Sequence, residues 1–288
     1  MRLCFLSFTD STEAGFTWRN VLDIPRDRAR LLGESAVTAL TRGYYEGPDG
    51  DRIPLREAVD AAVAARRSLP PDAGLPACET AVHHETMVSV ANLSTLAGAQ
   101  QLQSEGYAPL VLNFANGVNP GGGFLRGARA QEEVLCRSSG LYATLQGDPM
   151  YEFHAARPQP DSSSWCILSP GVPVFRNDAG DPLPAPWLFD VITCAAPYAP
   201  RVGQDAAARL LQERIHRVLA VAKAYGYNSL VLGAWGCGAF ANDPLQTARD
   251  FRDALEGPFA GAFSRVLFAI TDWSPERRFL GPFRDVMS

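Results

Sequence analysis

At 288 residues the chain suits one large domain, or one domain with a sizeable N-terminal extension. Its 47% hydrophobic and 20% charged content is that of an ordinary globule, and no apolar run approaches the ~20 residues a membrane span needs. The net charge of −5 argues against a broad nucleic-acid surface, yet leaves room for a polyanion gripped locally by backbone amides.

Met1-Arg2 precedes only a short apolar patch, Leu3 to Phe8, broken by Thr9-Asp10. No secretory leader is expected from this pattern, and a cytoplasmic protein is expected. The first 80 or so residues read as mostly helical and irregular. Pro25 opens a helix to Arg42, closed by Gly43-Tyr44-Tyr45; Pro54 opens another, Leu55 to Arg67, before the breaker-rich stretch Leu69 to Gly74. From there strand-like and helix-like segments alternate. Thr86 to Ala91 is a strand, Ser94 to Glu105 a helix, and Leu110 to Phe114 a short apolar strand. A helix is expected from Ala130 to about Leu145, then strands at Trp165 to Leu168 and Val172 to Phe175, joined by Ser169-Pro170-Gly171. Leu188 to Cys194 is another strand, and Asp205 to Ala224 a long helix with apolar residues at helical spacing. Ser229 to Ala234 is a buried strand, Asp243-Pro244 starts a helix to about Leu255, Val266 to Thr271 is the last strand, and Asp272 to Ser288 reads as a tail. This alternation predicts an α/β fold, a mixed sheet covered by helices on both faces, with ligands gathering beyond the carboxyl ends of strands.

Two glycine-rich loops fall at that end. The first, after Phe114, runs through Asn116, Asn119 and Gly121-Gly122-Gly123; seven residues later come Gln131-Glu132-Glu133. The second is Gly236-Cys237-Gly238-Ala239-Phe240, after Trp235. Glycines alone fit tight turns, and glutamates at a helix start suit the helix dipole. An aromatic after a glycine loop is ordinarily core, though it can also stack on a sugar or base. Two such loops at one sheet edge are better explained by a diphosphate held between them. Neither is a Walker loop, because no Gly-Lys-Ser or Gly-Lys-Thr follows. Adjacent helical residues point about 100° apart, so Glu132 and Glu133 cannot flank a scissile bond from opposite faces. If the chemistry is glycosidic, one acid works at the bond and the other positions the sugar.

The six cysteines (Cys4, Cys78, Cys136, Cys166, Cys194, Cys237) are scattered and read as reduced, buried thiols. His83-His84 lies near Cys78, Glu79 and Glu85, but without the spacing of a zinc site, and no structural zinc is expected.

The segment Phe114-Ala115-Asn116 to Gly121-Gly122-Gly123, followed by Gln131-Glu132-Glu133, resembles the poly(ADP-ribose) glycohydrolase motif. With Gly236 to Phe240 it looks like the bacterial-type branch of that family, whose core is a three-layer α/β/α macrodomain. The resemblance covers residues 80 to 272 well and the N-terminal helices more loosely. It implies an N-terminal helical accessory region, 1–80, and an ADP-ribose-binding catalytic core, 81–288. It further implies Glu133 as general acid, Glu132 on the sugar hydroxyls, and Gly121, Gly122 and Gly123 at the diphosphate. Gly236, Cys237, Gly238 and Ala239 match the second phosphate loop, and Phe240 the aromatic against the distal ribose. Asn116 and Asn119 are candidates for the proximal ribose, and Gln131 for support of the active-site loop. Where macrodomains carry an acidic residue for adenine, this chain has Asn92-Leu93-Ser94-Thr95.

The implied activity is hydrolysis of ribose–ribose O-glycosidic bonds, from chain ends, reversing ADP-ribosylation as in a DNA-damage response. The implied substrates are poly(ADP-ribose) or ADP-ribosylated proteins, and the product is ADP-ribose. A monomer needing no metal, cofactor, membrane or nucleic acid is expected. The competing readings are a macrodomain that binds ADP-ribose without cleaving it, a hydrolase of single ADP-ribosyl units, and a nonenzymatic scaffold.

Overall fold

Most central strands are apolar on both faces, which places them inside a covered sheet. In the computed structural model, which describes residues 2–78 and 82–288, that sheet has eight strands. The division expected at residues 80 and 81 lies outside the described residues, as does Glu79. The N-terminal part comprises β1 (Arg2–Thr9), α1 (Thr12–Leu22), α2 (Arg26–Arg42), the hairpin β2 (Tyr44–Glu46) and β3 (Arg52–Pro54), α3 (Arg56–Ala65) and β4 (Arg67–Leu69). Then follow β5 (Glu85–Ala91), α4 (Thr95–Ser104), β6 (Leu110–Ala115), α5 (Gln131–Ser138), α6 (Leu141–Leu145) and α7 (Pro149–Ala155). The rest is β7 (Cys166–Arg176), β8 (Pro182–Ala195), α8 (Ala199–Val202), α9 (Gln204–Ala224), β9 (Ser229–Leu232), α10 (Pro244–Glu256), β10 (Arg265–Ala269) and α11 (Leu280–Met287).

The strand order is β1-β5-β10-β9-β6-β8-β7-β4. The six strands from β1 to β8 are mutually parallel, and β7 and β4 join antiparallel. Period-two alternation divides the core. Leu110, Leu112, Leu230, Leu232, Val266 and Phe268 pack beneath α9, α10 and α11. Val111, Val191, Val231 and Leu267 face α4 to α7 on the other side. The expected three-layer α/β/α arrangement is therefore present. Outside it, α2, α3 and the β2–β3 hairpin close a smaller cluster around Phe175. Among the described residues no helix is long and apolar enough to cross a membrane.

Five local expectations are corrected. Leu3 to Phe8 belongs to an edge strand, β1, held parallel to β5. Arg67 starts β4, the opposite edge, instead of ending a helix. The helix expected over 130–145 breaks in two: Ser139 is extended and bridges Val174, and the Gly140 amide donates to Pro173 O at 2.8 Å. The two strands expected around Ser169-Pro170-Gly171 form one, β7, with a register shift at Gly171 (φ +66°), whose amide donates to Asp190 Oδ1 at 2.7 Å. Finally, the tail ends in α11, whose Leu280, Phe283 and Met287 are buried in the core.

Candidate functional site

The loops after β6 and β9 lie at the carboxyl edge of adjacent parallel strands, so they face one another across a cleft. The cleft has two lobes that share Phe114, Ala130, Gln131, Ala234 and Gly238. One lobe, of about 260 Å³, is lined by Asn116, Glu132, Glu133, Ala196, Gly236 and Phe240. The other, of about 290 Å³, is mostly apolar and reaches Leu22, Leu93, Asp178, Trp273 and Phe279.

Gln131 fixes α5 to the sheet. Its Oε1 accepts from the Phe114 amide at 2.9 Å, and its Nε2 donates to Leu112 O at 2.7 Å and Thr95 Oγ1 at 3.2 Å. This pins the following two glutamates over the end of β6. Both are buried, 3% and 8% exposed, a burial that costs a carboxylate stability wherever an oxygen goes unpartnered. The Asn116 amide donates to Glu132 Oε2 at 2.7 Å, and Asn113 Nδ2 approaches Oε1 at 3.4 Å. The Gly123 amide donates to Glu133 Oε1 at 2.9 Å, and Glu133 Oε2 has no protein partner. Burial pushes the Glu132 carboxyl well above the ordinary carboxylate range. The Asn116 hydrogen bond opposes that rise and the neighbouring Glu133 charge adds to it.

The first glycine loop serves these carboxylates. Gly121, Gly122 and Gly123 line neither lobe. Gly122 sits at φ +61°, and a Cβ there would collide with Glu133 Oε1 and lie 2.9 Å from Glu132 Oε2. Asn116 Oδ1 accepts from the Val118 and Asn119 amides at 2.9 and 2.8 Å, tightening the loop's first turn. Asn119 itself is exposed and lines neither lobe. Buried His154 supports the loop from below, its Nδ1 3.0 Å from Gly117 O and its Nε2 2.7 Å from Ser163 Oγ. Burial lowers the imidazole to about 4, so it is neutral and donates from Nδ1.

The second loop is differently built. Among the described residues the amides of Gly238, Ala239 and Phe240 donate to no protein acceptor, and a Cβ on Gly238 would meet nothing within 4 Å. Nothing in the protein demands glycine at 238, which is what close approach of a ligand to backbone requires. The N-terminus of α5, with no side-chain cap at Ala130, adds free amides on the opposite wall. Phe240 is half-buried and meets Tyr198 edge-on, ring centroids 5.7 Å apart. Cys237 turns away: its buried Sγ lies 3.6 Å from Thr247 Oγ1, and burial pushes the thiol up to about 12. Burial likewise raises the Cys136 thiol, so neither cysteine is poised as a nucleophile.

Three features escaped the sequence. Asp178, at the tip of the β7–β8 hairpin, reaches the apolar lobe, where its Oδ2 accepts from Ser94 Oγ at 2.6 Å and its Oδ1 has no partner. Burial raises it to about 6. Trp273 and Phe279 come from the segment read as a tail. Asn113, fully buried under Glu132, carried a signal: a polar residue in the apolar run Leu110 to Ala115. Among the described residues no group of three or more His, Cys, Asp or Glu is placed to hold a metal ion.

The family model described as microbial-type PARG, catalytic domain, matches residues 33–177. Solved structures are similar over most of the chain. The poly(ADP-ribose) glycohydrolase of Thermomonospora curvata is 40% identical, covers 90% of this chain and 99% of its own, and has a TM-score of 0.84. The same enzyme bound to the inhibitor ADP-HPD is 40% identical with the same coverage and a TM-score of 0.82. The Deinococcus radiodurans enzyme in complex with ADP-ribose is 40% identical, covers 80% of this chain and 96% of its own, and has a TM-score of 0.72. No curated protein matches the chain.

Proposed function

The chain belongs to the microbial-type poly(ADP-ribose) glycohydrolase family, and from that premise we propose that it cleaves ribose–ribose O-glycosidic bonds at the ends of poly(ADP-ribose) chains. The observation that carries the catalytic assignment is Glu133 Oε2: buried, without a protein partner and in the wall of the acid lobe, while Oε1 is held by Gly123. Glu133 is the general acid, delivering its proton to the departing 2′-oxygen. Glu132, fixed by the Asn116 amide, accepts hydrogen bonds from the sugar hydroxyls. Departure of the 2′-oxygen leaves an oxocarbenium-like ribose, and water attacking it returns a proton to Glu133.

The remainder of the ligand supplies the orientation. The diphosphate lies between the Gly238–Phe240 amides and the α5 N-terminus, and binding energy gained there holds the anomeric carbon beside Glu133. The adenine enters the apolar lobe, where Asp178 accepts from its amino group. Phe240, backed by Tyr198, closes the end of the acid lobe against the distal ribose, which favours chain ends over internal bonds.

The test is release of ADP-ribose from purified poly(ADP-ribose) by the wild type and by Glu133→Gln. The expected result is a kcat at least about 10³-fold lower in the variant, with ADP-ribose affinity within about threefold. Retained turnover in Glu133→Gln would remove that residue as the acid, and binding without release by the wild type would make the protein a reader. Carboxyl and amide groups suffice for every step, so a chelator is expected to leave the rate unchanged; loss that added metal restores would overturn this.

A further inference from the structure

Asn113 stands at the middle of the sheet, fully buried on the face otherwise lined by Val111, Val191 and Val231. An amide there costs stability unless its polar atoms are used. It pairs in register with Thr193 of β8, also fully buried. Its Nδ2 lies 3.2 Å from Thr193 Oγ1 and 3.4 Å from Glu132 Oε1, and its Oδ1 has no partner. In this orientation the amide donates to an ionised Glu132 while the Thr193 oxygen accepts. Half a turn about the side-chain axis presents Oδ1 instead, which accepts from the Thr193 hydroxyl and from a protonated Glu132. One end of the amide is unpartnered in either orientation, so the two differ chiefly in what they offer Glu132.

We infer that Asn113, backed by Thr193, is a positioning residue that holds Glu132 ionised and oriented to receive the ribose hydroxyls. This rests on the glycohydrolase reading above. Ribose hydroxyls arriving with substrate donate to Glu132 and favour its ionised form, while the reaction requires the proton on Glu133. The two carboxyl groups converge on Gly122. The other groups acting on Glu132 are Glu133 and Cys136 of its own helix, Tyr151 of α7, and the backbone donors Asn116 and Gly121.

The test is the pH profile of kcat/KM for ADP-ribose release, from pH 5 to 9, for the wild type, Asn113→Leu and Thr193→Val. Leucine cannot donate to the ionised Glu132, so its proton is held more tightly. The expected result is about a tenfold loss at neutral pH, with the acidic limb moved up by about one pH unit. Thr193→Val, isosteric within a strand, should shift the limb the same way but less, and it decides the matter should Asn113→Leu fail to fold. Profiles superimposable on the wild type, or a loss uniform across pH, would overturn the inference. A wild type that releases no ADP-ribose would overturn the glycohydrolase reading itself.

Discussion

Asp178 shows how burial places a carboxyl group in the cleft at a cost in stability. Its value of about 6 lies above the ordinary aspartate range because the folded protein strips water from it, a cost the Ser94 hydrogen bond only partly offsets. The folded state thus binds a proton more tightly than the unfolded chain. The associated stability is fully present below about pH 3.9 and is lost as pH rises through about 6. Above that, the buried charge costs at most about 3 kcal/mol. Asp178→Asn should therefore melt a few degrees above the wild type at pH 8, with the gap closing by pH 4. Binding should run oppositely. In the proposed contact ionised Asp178 accepts from the adenine amino group, so wild-type ADP-ribose affinity should fall as pH drops through about 6. Asp178→Asn should bind about tenfold more weakly at pH 8 with little pH dependence, and calorimetry of both proteins across pH 5 to 8 checks this. An affinity that ignores pH would take Asp178 out of the adenine contact. Nothing local in the sequence marked this residue, because Asn177-Asp178-Ala179-Gly180 reads as a plain hairpin turn.

Among the elements, the segment from β6 to α5 determines how the glutamates sit. Gly122→Ala combines two penalties: a left-handed φ of +61° and a methyl driven into Glu133 Oε1. The strain alone is isolated by Gly147→Ala, at φ +68° with nothing within 4 Å of its Cβ. Gly147→Ala should lose about 1 kcal/mol of stability, and Gly122→Ala more, because the collision adds to the strain. Only Gly122→Ala should lose about 10²-fold in kcat, because an ångström of displacement at the acid is enough. Equal activities would show that the loop does not position Glu133. This segment was legible because glycine triplets and paired acids keep their meaning without tertiary context, and strands such as Ser229–Leu232 announce themselves by an apolar run, here Leu230-Val231-Leu232. The misreadings fall where long-range partners override local pattern. Ser139 and Gly140 leave the helix to bond β7, and Gly171 stays within its strand because Asp190 receives its amide. The strand at Leu3 to Phe8 depends on β5, some 80 residues away, to exist at all.

For the whole molecule, the question is why the N- and C-terminal segments both return to the apolar lobe. The terminal segments meet at Arg277, whose Nε donates to Asp10 Oδ2 at 2.6 Å and whose Nη atoms reach Ser11 O, Asp272 O and Ser274 O at 3.0–3.2 Å. Asn92 completes the join: its Nδ2 donates to Asp10 Oδ1 and Asp272 O, while its own carbonyl accepts from Trp18 Nε1. Arg277 adopts a left-handed φ of +50°, a conformation that persists in a non-glycine residue only when its surroundings impose it. These contacts fix the turn that carries Trp273 and Phe279, while α1 contributes Leu22 to the same lobe. The N-terminal region and the C-terminal segment thus line one lobe of the cleft together, the lobe that Glu132 and Glu133 do not line. Arg277→Ala should cost about 1–3 kcal/mol of stability, since the ion pair is mostly but not wholly buried. It should weaken ADP-ribose binding about tenfold while leaving kcat within about threefold, and Asp10→Asn should do the same more mildly. Titration calorimetry beside single-turnover kinetics separates the two effects. If kcat fell while affinity held, the chain ends would be acting on the acid rather than on the base pocket, and the cleft would transmit strain from one lobe to the other.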